Sequence, residues 1–214
     1  MRRLVRRPGS IAGRKLVLSG ILVAAGAALA GPGAFATFTS SATGGPQTVS
    51  TGTVTIALGS TGAQTNRLNV NATGVAPGDT IQRSVDVSNS GSLNLASITL
   101  GITASPSSSL DTDATNGLHT TVQSCSVAWT EGGTAPAYTY TCSGTTTSVL
   151  ASTAVATLEG TPSSLTPLNS LTGGGSDHLV VTLTLPTTAP NGFQSLSSTV
   201  SYVFTGTQRA AQSD

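Results

Sequence analysis

Apolar and polar residues alternate with a period of two along most of the chain after residue 52. The clearest run is 80–88, in which Ile81, Arg83, Val85 and Val87 share one face. Consecutive side chains of a β-strand point to opposite faces of a sheet, so this alternation predicts strands with one buried face. Several short strands with little helix predict an all-β fold, an antiparallel jelly-roll or β-sandwich.

Turn residues and a change of parity surround this run. Pro77 and Gly78 suit a type II turn, because proline fixes φ and glycine tolerates a positive φ. At 89–92 (NSGS) we expect a hairpin, with Gly91 in the left-handed conformation. The apolar residues that follow change parity after Leu95. One strand buries both sets only with an inserted residue, which predicts a β-bulge at Ala96-Ser97.

The rest of the chain divides into strands, loops and one short helix. Runs 104–121 and 165–175 are rich in small polar residues and predict loops, whereas the alanine-rich run 148–158 predicts a short helix rather than a strand. Arg83 either guards a sheet edge or lies over apolar surface. Further strands are predicted at 53–58, 68–72, 122–130, 137–142, 179–185 and 196–204.

The first 36 residues have the layout of a secretory signal. Six basic residues precede the apolar run 16–30, and small residues at Ala34 and Ala36 suit cleavage before Thr37. A retained membrane anchor is the alternative, since a bilayer core needs about 20 apolar residues. We expect a signal peptide at 1–36, a flexible segment at 37–52, a sandwich domain at 53–208 and a tail at 209–214.

Charge and cysteine content describe an exported chain. After residue 36, three arginines remain against eight acidic residues, which leaves a net charge of −5. Nucleic acid is therefore not an expected partner, and we expect membrane contact only through an uncleaved leader. Cys125 and Cys142 are the only cysteines. In an oxidising compartment they predict a disulfide, because further ligands for a metal site are missing.

No catalytic, metal or cofactor set stands out. The two histidines, His119 and His178, do not form the His-Glu-x-x-His pattern of zinc peptidases. Ser176, Asp177 and His178 are adjacent on a predicted strand, so they point to opposite faces and cannot converge as a triad. The run 111–117 lacks the spacing and the bidentate Glu of an EF-hand, although an adventitious calcium site there stays open.

Three blocks of sequence resemble the TasA and camelysin family of secreted bacterial proteins. They are 50–54 (STGTV), 75–80 (VAPGDT) with Asn89 and 91–93, and 191–194 (NGFQ) with 200–204 (VSYVF) and Gln208. The resemblance implies a long signal peptide, a jelly-roll domain and a subunit of matrix fibres. It also carries a metallopeptidase label, which the histidine pattern does not support.

The resemblance implies self-association into oligomers or fibres outside the cell, at the cell surface or in a biofilm matrix, by addition of a strand from one copy to a sheet of the next. Other matrix or cell-surface components are further candidate partners. The candidate donor residues are Phe38, Val54, Ile56 and Leu58. The predicted strands contain no lysine, the residue that often protects sheet edges. The alternatives are a secreted metallo-endopeptidase and a monomeric immunoglobulin-like adhesion module.

Overall fold

The computed structural model describes residues 53–68 and 70–210. The predicted signal peptide, its cleavage site at Ala34, Ala36 and Thr37, and the donor residue Phe38 lie outside the described residues. The strands are β1 (Ile56–Leu58), β2 (Val70–Thr73), β3 (Thr80–Asn89), β4 (Leu95–Ala104), β5 (His119–Cys125), β6 (Thr130–Thr134), β7 (Ala137–Thr141), β8 (Thr146–Ala154), β9 (Ser163–Ser164), β10 (Ser176–Thr184) and β11 (Ser197–Gln208). The helices are α1 (Ser109–Thr112) and α2 (Val155–Gly160), with 3₁₀ turns at Asn169–Leu171 and Asn191–Phe193.

The strands form two main sheets, and all their described pairings are antiparallel. One sheet has the order β1-β3-β10-β5-β8, and the other has the order β2-β11-β4-β9. Strands β6 and β7 form a separate two-stranded hairpin. The predicted all-β antiparallel sandwich with a short helix is confirmed.

Apolar side chains from both sheets form one core. Val85, Val87 and Leu179 of the first sheet meet Leu100 and Val200 of the second, and all five are fully buried. These residues lie on the inward parity of their strands, so the alternation seen in the sequence sets the face that is buried. Burial of a side chain of this size contributes about 1.5–3 kcal/mol relative to an exposed position.

The turn before β3 forms as the sequence predicts. Gly78 has a φ of 94°, and the Asp79 amide donates to the carbonyl of Ala76 at 2.9 Å. Pro77 occupies the second position of this four-residue turn, where its fixed φ is compatible with the geometry. β3 begins directly after this turn, in the register in which Val85 and Val87 face the core.

The predicted hairpin at 89–92 is wrong, because β3 and β4 belong to different sheets. The segment is an arch that crosses the sandwich, in which the buried Asn89 side chain donates to the Leu93 carbonyl and accepts from the Gly91 amide. Gly91 does not adopt a positive φ. A Cβ at Gly91 would overlap the carbonyl of Thr53, so close approach of another backbone explains the glycine.

The predicted bulge in β4 is confirmed. Thr207 pairs with Ser97 and Gln208 pairs with Leu95, so Ala96 is the extra residue. The insertion restores parity, and both Leu95 and Ile98 point into the core. This feature follows from the sequence alone because two sets of apolar residues of opposite parity both require burial.

The alanine-rich run is mostly a strand. The predicted helix at 148–158 is therefore wrong for residues 148–154, and the chain is helical only from Val155. β8 extends through Ala154 and pairs with β5, and only α2 is helical. Val149 and Leu150 are buried in the core. Pairing with β5 and this burial outweigh the small helix preference of alanine, which amounts to tenths of a kcal/mol per residue.

Two other segments depart from the predicted boundaries. The predicted loop 104–121 contains α1, and His119 is the first residue of β5 rather than a loop residue. The predicted strand 53–58 is reduced to β1. Val54 and Leu58 are 36% and 38% exposed, so the expected buried face of this strand is wrong except at the half-buried Ile56.

Candidate functional site

The borders of the two sheets are the candidate functional surfaces, because a border strand has backbone groups available to another chain. At the β8 border, the pairing with β5 contains register shifts around Val122, and the Thr166 amide donates to the Val149 carbonyl. Irregular pairing of this kind prevents a further strand from docking flat. The β9 border is two residues long and lies beside α2, which packs against β4.

The border beside β3 is covered over most of its length. β1 pairs with residues 87–89, and the chain continues alongside through bonds from the Gly59 amide to the Asp86 carbonyl and from the Arg67 amide to the Ser84 carbonyl. Even-numbered residues of β3 therefore direct their backbone groups to this side. The covering chain leaves β3 after Arg67. On this side, Thr80 and Gln82 of β3 have no backbone partner among the described residues.

In the part of the chain that the structure describes, the longest strand border without a paired neighbour, here called the open border, belongs to β11. β2 pairs only with Ser197–Val200, so the described partners of β11 from Tyr202 to Gln208 all lie on the β4 side. Thr199 exchanges backbone hydrogen bonds with Ser105 and Pro106, on the β4 side. Because this direction alternates along a strand, Tyr202, Phe204 and Gly206 direct their N–H and C=O groups to the open side.

The side chains along this border are uncharged. Ser201, Val203, Thr205 and Thr207 face outward, and Val203 is 47% exposed. Tyr202 and Phe204 face inward but remain half-buried. Ile56 of β1 is also half-buried, and its side chain occupies the space where a Cβ of residue 206 would lie if that residue were not glycine. An additional strand on this border would cover apolar surface and satisfy backbone groups at the same time.

The N-terminal end of the described chain lies beside the end of this border. The Thr53 carbonyl accepts from the amides of Ser92 (3.0 Å) and Leu93 (3.2 Å). The Arg209 amide, directly after β11, donates to the Asn94 carbonyl at 3.4 Å. Thr53 therefore lies near the C-terminal end of β11. Of the candidate donor residues, Ile56 and Leu58 lie in β1 and Val54 lies in the segment before it.

The β6–β7 hairpin lies on the outer face of the first sheet and is attached by the predicted disulfide. Cys125 of β5 bonds to Cys142, just after β7, with a Cα–Cα distance of 5.8 Å. Trp129 packs with this disulfide against Val180, and its indole N–H donates to the His178 carbonyl at 2.9 Å. The hairpin therefore has its own small apolar base, separate from the main core.

A cluster of charged and aromatic side chains attaches the hairpin to the segment beside β3. Arg67 donates to both carboxylate oxygens of Glu131, at 2.8 and 3.0 Å, and the Tyr140 hydroxyl donates to the same carboxylate at 2.9 Å. The hydrogen bond from Arg67 holds the pKa of Glu131 below its ordinary value. The Arg67 guanidinium also lies over the Tyr138 ring, 4.7 Å from its centroid.

The sequence did not predict this cluster, since Arg67 and Glu131 are 64 residues apart and neither belongs to a motif. Cation–π and bidentate contacts of this kind depend on tertiary geometry that no local pattern encodes. The only available signal is that Arg67 and Arg83 account for two of the three basic residues after the leader.

The histidines are separated in the fold. His119 begins β5, and its ring contacts the Gly117 carbonyl at 3.1 Å. His178 of β10 lies opposite Asp86 of β3, and their ring nitrogen and carboxylate oxygen are 2.7 Å apart. Asp177 points the other way, where it accepts from the amides of Asn169 and Ser170. The prediction that the adjacent residues Ser176 to His178 do not converge agrees with this geometry.

The acidic residues of 111–117 bind donors of their own chain. Asp111 is fully buried and accepts from the Ser108 amide and from the hydroxyls of Ser107 and Ser198. Burial acts to raise the pKa of Asp111, but these hydrogen bonds together hold it below its ordinary value. Asp113 accepts from the amides of Thr115 and Asn116. Both carboxylates stabilise local turns, and Asp111 also joins α1 to β11.

A metal centre does not fit the residues that the structure describes. Within residues 53–68 and 70–210, no three His, Cys, Asp or Glu side chains stand close enough to share an ion. Outside these ranges, the sequence contains one further residue of these types, Asp214.

The fold and borders define a class, an antiparallel two-sheet sandwich in which, within residues 53–68 and 70–210, one long strand border has no paired neighbour. The family comparison agrees with the resemblance seen in the sequence. The chain belongs to the family described as camelysin metallo-endopeptidase, whose model matches residues 13–213. None of the curated proteins matches the chain. In the described part of the chain, each helix is too short or too polar to cross a membrane.

Proposed function

We propose that this protein is a secreted structural protein of the extracellular matrix or cell surface, and that copies join into fibres by β-strand addition. The open border of β11 is the observation that carries the proposal. It offers three N–H and three C=O groups, on Tyr202, Phe204 and Gly206, together with half-buried apolar side chains. Membership of the camelysin family supports the coarser statement that the protein acts outside the cell.

The segment 37–52 is the proposed donor. When extended, its 16 residues would span about 50 Å, whereas the border from Tyr202 to Gln208 is about 23 Å long. The segment contains no charged residue, like the border it would cover. It is attached beside the C-terminal end of β11, so it has the reach to dock on its own domain or on a neighbour.

Strand direction favours exchange between copies. The segment joins the domain near the C-terminal end of β11, so docking on its own border would make it parallel to β11. A segment from a second copy is free to dock antiparallel, and antiparallel pairs are slightly more stable per residue. Phe38 would then supply the largest apolar side chain of the donor. Val54 would lie in the connection between the donor and β1, which contains Ile56 and Leu58.

The test compares the purified protein with a variant that lacks residues 37–52 and with a charged border variant. Thr205→Lys places a charge on the exposed outer face of β11, and Gln123→Lys places the same charge on β5, which is paired on both sides. We expect fibres by electron microscopy from the parent protein and from Gln123→Lys only. Equal fibre formation by Thr205→Lys would refute the β11 border. A parent protein that stays monomeric at high concentration would favour the adhesion-module alternative.

The family description makes a secreted metallo-endopeptidase the second candidate. This candidate predicts cleavage of casein that a chelator abolishes and that is lost in His119→Ala or His178→Ala. Wild-type cleavage rates in both variants, or the absence of chelator-sensitive cleavage, would eliminate it.

A further inference from the structure

We infer that the disulfide-linked β6–β7 hairpin is an edge guard: through Tyr138 it holds Arg83 against residues 80–82 of β3, here called the free border because their backbone has no partner on that side among the described residues, and so prevents a second mode of strand addition. This inference concerns the border of β3, not that of β11. It rests on the proposed function only because its test uses a variant in which association through β11 is blocked. The hairpin segment Pro136–Tyr138 forms one wall of a cleft of about 460 Å³, and the free end of β3 forms the other.

Arg83 caps the free border directly. Arg83 is 7% exposed, and its guanidinium donates to the Gln82 carbonyl at 2.7 Å. The direction of the backbone bonds at Ser84 and Asp86 places that carbonyl on the border side of β3. The guanidinium therefore uses an acceptor that an incoming strand would need. A desolvated cation at this position also opposes docking of an uncharged strand.

Tyr138 holds the cap in place. The Arg83 guanidinium lies over the Tyr138 ring, 5.3 Å from its centroid. The ring is fixed because β7 pairs with β6, and Cys142 ties the end of the hairpin to β5. Glu131 and Arg67 attach the other hairpin strand to the chain that covers the adjacent part of β3.

The test uses the full chain with Thr205→Lys as background, so that association through β11 is blocked. Tyr138→Ala removes the ring, Tyr138→Phe keeps it as the matched control, and Arg83→Met keeps an apolar stem without the donor. We expect Tyr138→Ala and Arg83→Met to self-associate at least about tenfold more tightly than the background, a change that corresponds to about 1.4 kcal/mol and lies in the range expected for removal of one such contact. Analytical ultracentrifugation measures this association.

Hydrogen exchange identifies the border. In the associated variants the amides of Thr80 and Gln82 should become protected, and a further Gln82→Lys substitution should return the association to the background value. Protection of the central strand β10 serves as the check that each variant is folded. The inference is overturned if folded Tyr138→Ala and Arg83→Met associate no more than Tyr138→Phe, or if they associate without protection at Gln82. Failure of the β11 proposal alone would appear differently, as assembly of the Thr205→Lys background itself.

Discussion

Replacement of Ser198 by alanine removes one hydroxyl from the buried carboxylate that connects α1 to β11. Asp111 is fully buried, and its three described donors come from Ser107, Ser108 and Ser198. A hydrogen bond to a charged group contributes about 1.5–3 kcal/mol, so we expect Ser198→Ala to lower the free energy of unfolding by about 2 kcal/mol at pH 7. Ser197→Ala, at an exposed neighbouring position, is the control and should change it by less than about 0.5 kcal/mol.

The pH dependence separates this mechanism from simple loss of packing. The hydrogen bonds hold the pKa of Asp111 below its ordinary value of 3.8 despite its burial. A carboxylate with a depressed pKa stabilises the fold above its unfolded pKa, and this contribution is lost as the pH falls through the folded pKa. Burial and the charge of Asp111 raise the pKa of Glu159, but Glu159 is present in both proteins.

Urea denaturation at pH 7 and pH 3, with the disulfide intact, measures both effects. We expect the difference between Ser198→Ala and the parent to be largest at pH 7 and to decrease at pH 3. A difference that is the same at both pH values would mean that the hydroxyl contributes by packing alone. A difference below about 0.5 kcal/mol at pH 7 would refute the assigned role of the hydrogen bond.

Three further predictions address the arch, the disulfide and the hairpin cluster. Gly91→Ala should destabilise the fold by about 1–3 kcal/mol, because a Cβ would overlap the Thr53 carbonyl, whereas Gly160→Ala, with open space around it, should be neutral in the same denaturation assay. Replacement of both Cys125 and Cys142 by serine should cost about 3 kcal/mol in the chain-entropy model, measured against the oxidised parent. Because Arg67 depresses the pKa of Glu131, amide exchange in β6 and β7 should accelerate as the pH falls below 4.5, the ordinary pKa of a glutamate, after correction for intrinsic rates. Glu131→Gln should abolish that step.

Strand existence and the inward face could be predicted from the sequence where local pattern and burial agree. The bulge near Ala96 is the sharpest example, because the parity conflict has only one solution within a strand. The disulfide followed from the presence of two cysteines and an export signal. These features depend on a short-range sequence pattern or on the pairing of the two cysteines. Each can be recognised from the sequence without knowledge of the fold.

Connections between sheets could not be predicted in the same way. A polar turn between two alternating runs fits a hairpin and an arch equally well, and the choice at 89–92 depends on Asn89 and on the backbone of Thr53. Similarly, β8 is a strand because β5 provides a partner, although its alanines favour a helix. The open border of β11 is also a tertiary property, since it exists because β2 is only four residues long.

Residue-resolved hydrogen exchange on monomers and on assembled material tests the central claim most directly. The account predicts that the amides of Tyr202, Phe204 and Gly206 exchange freely in the monomer lacking residues 37–52 and become protected in assembled full-length protein. Assembly in which these three amides still exchange freely would contradict it.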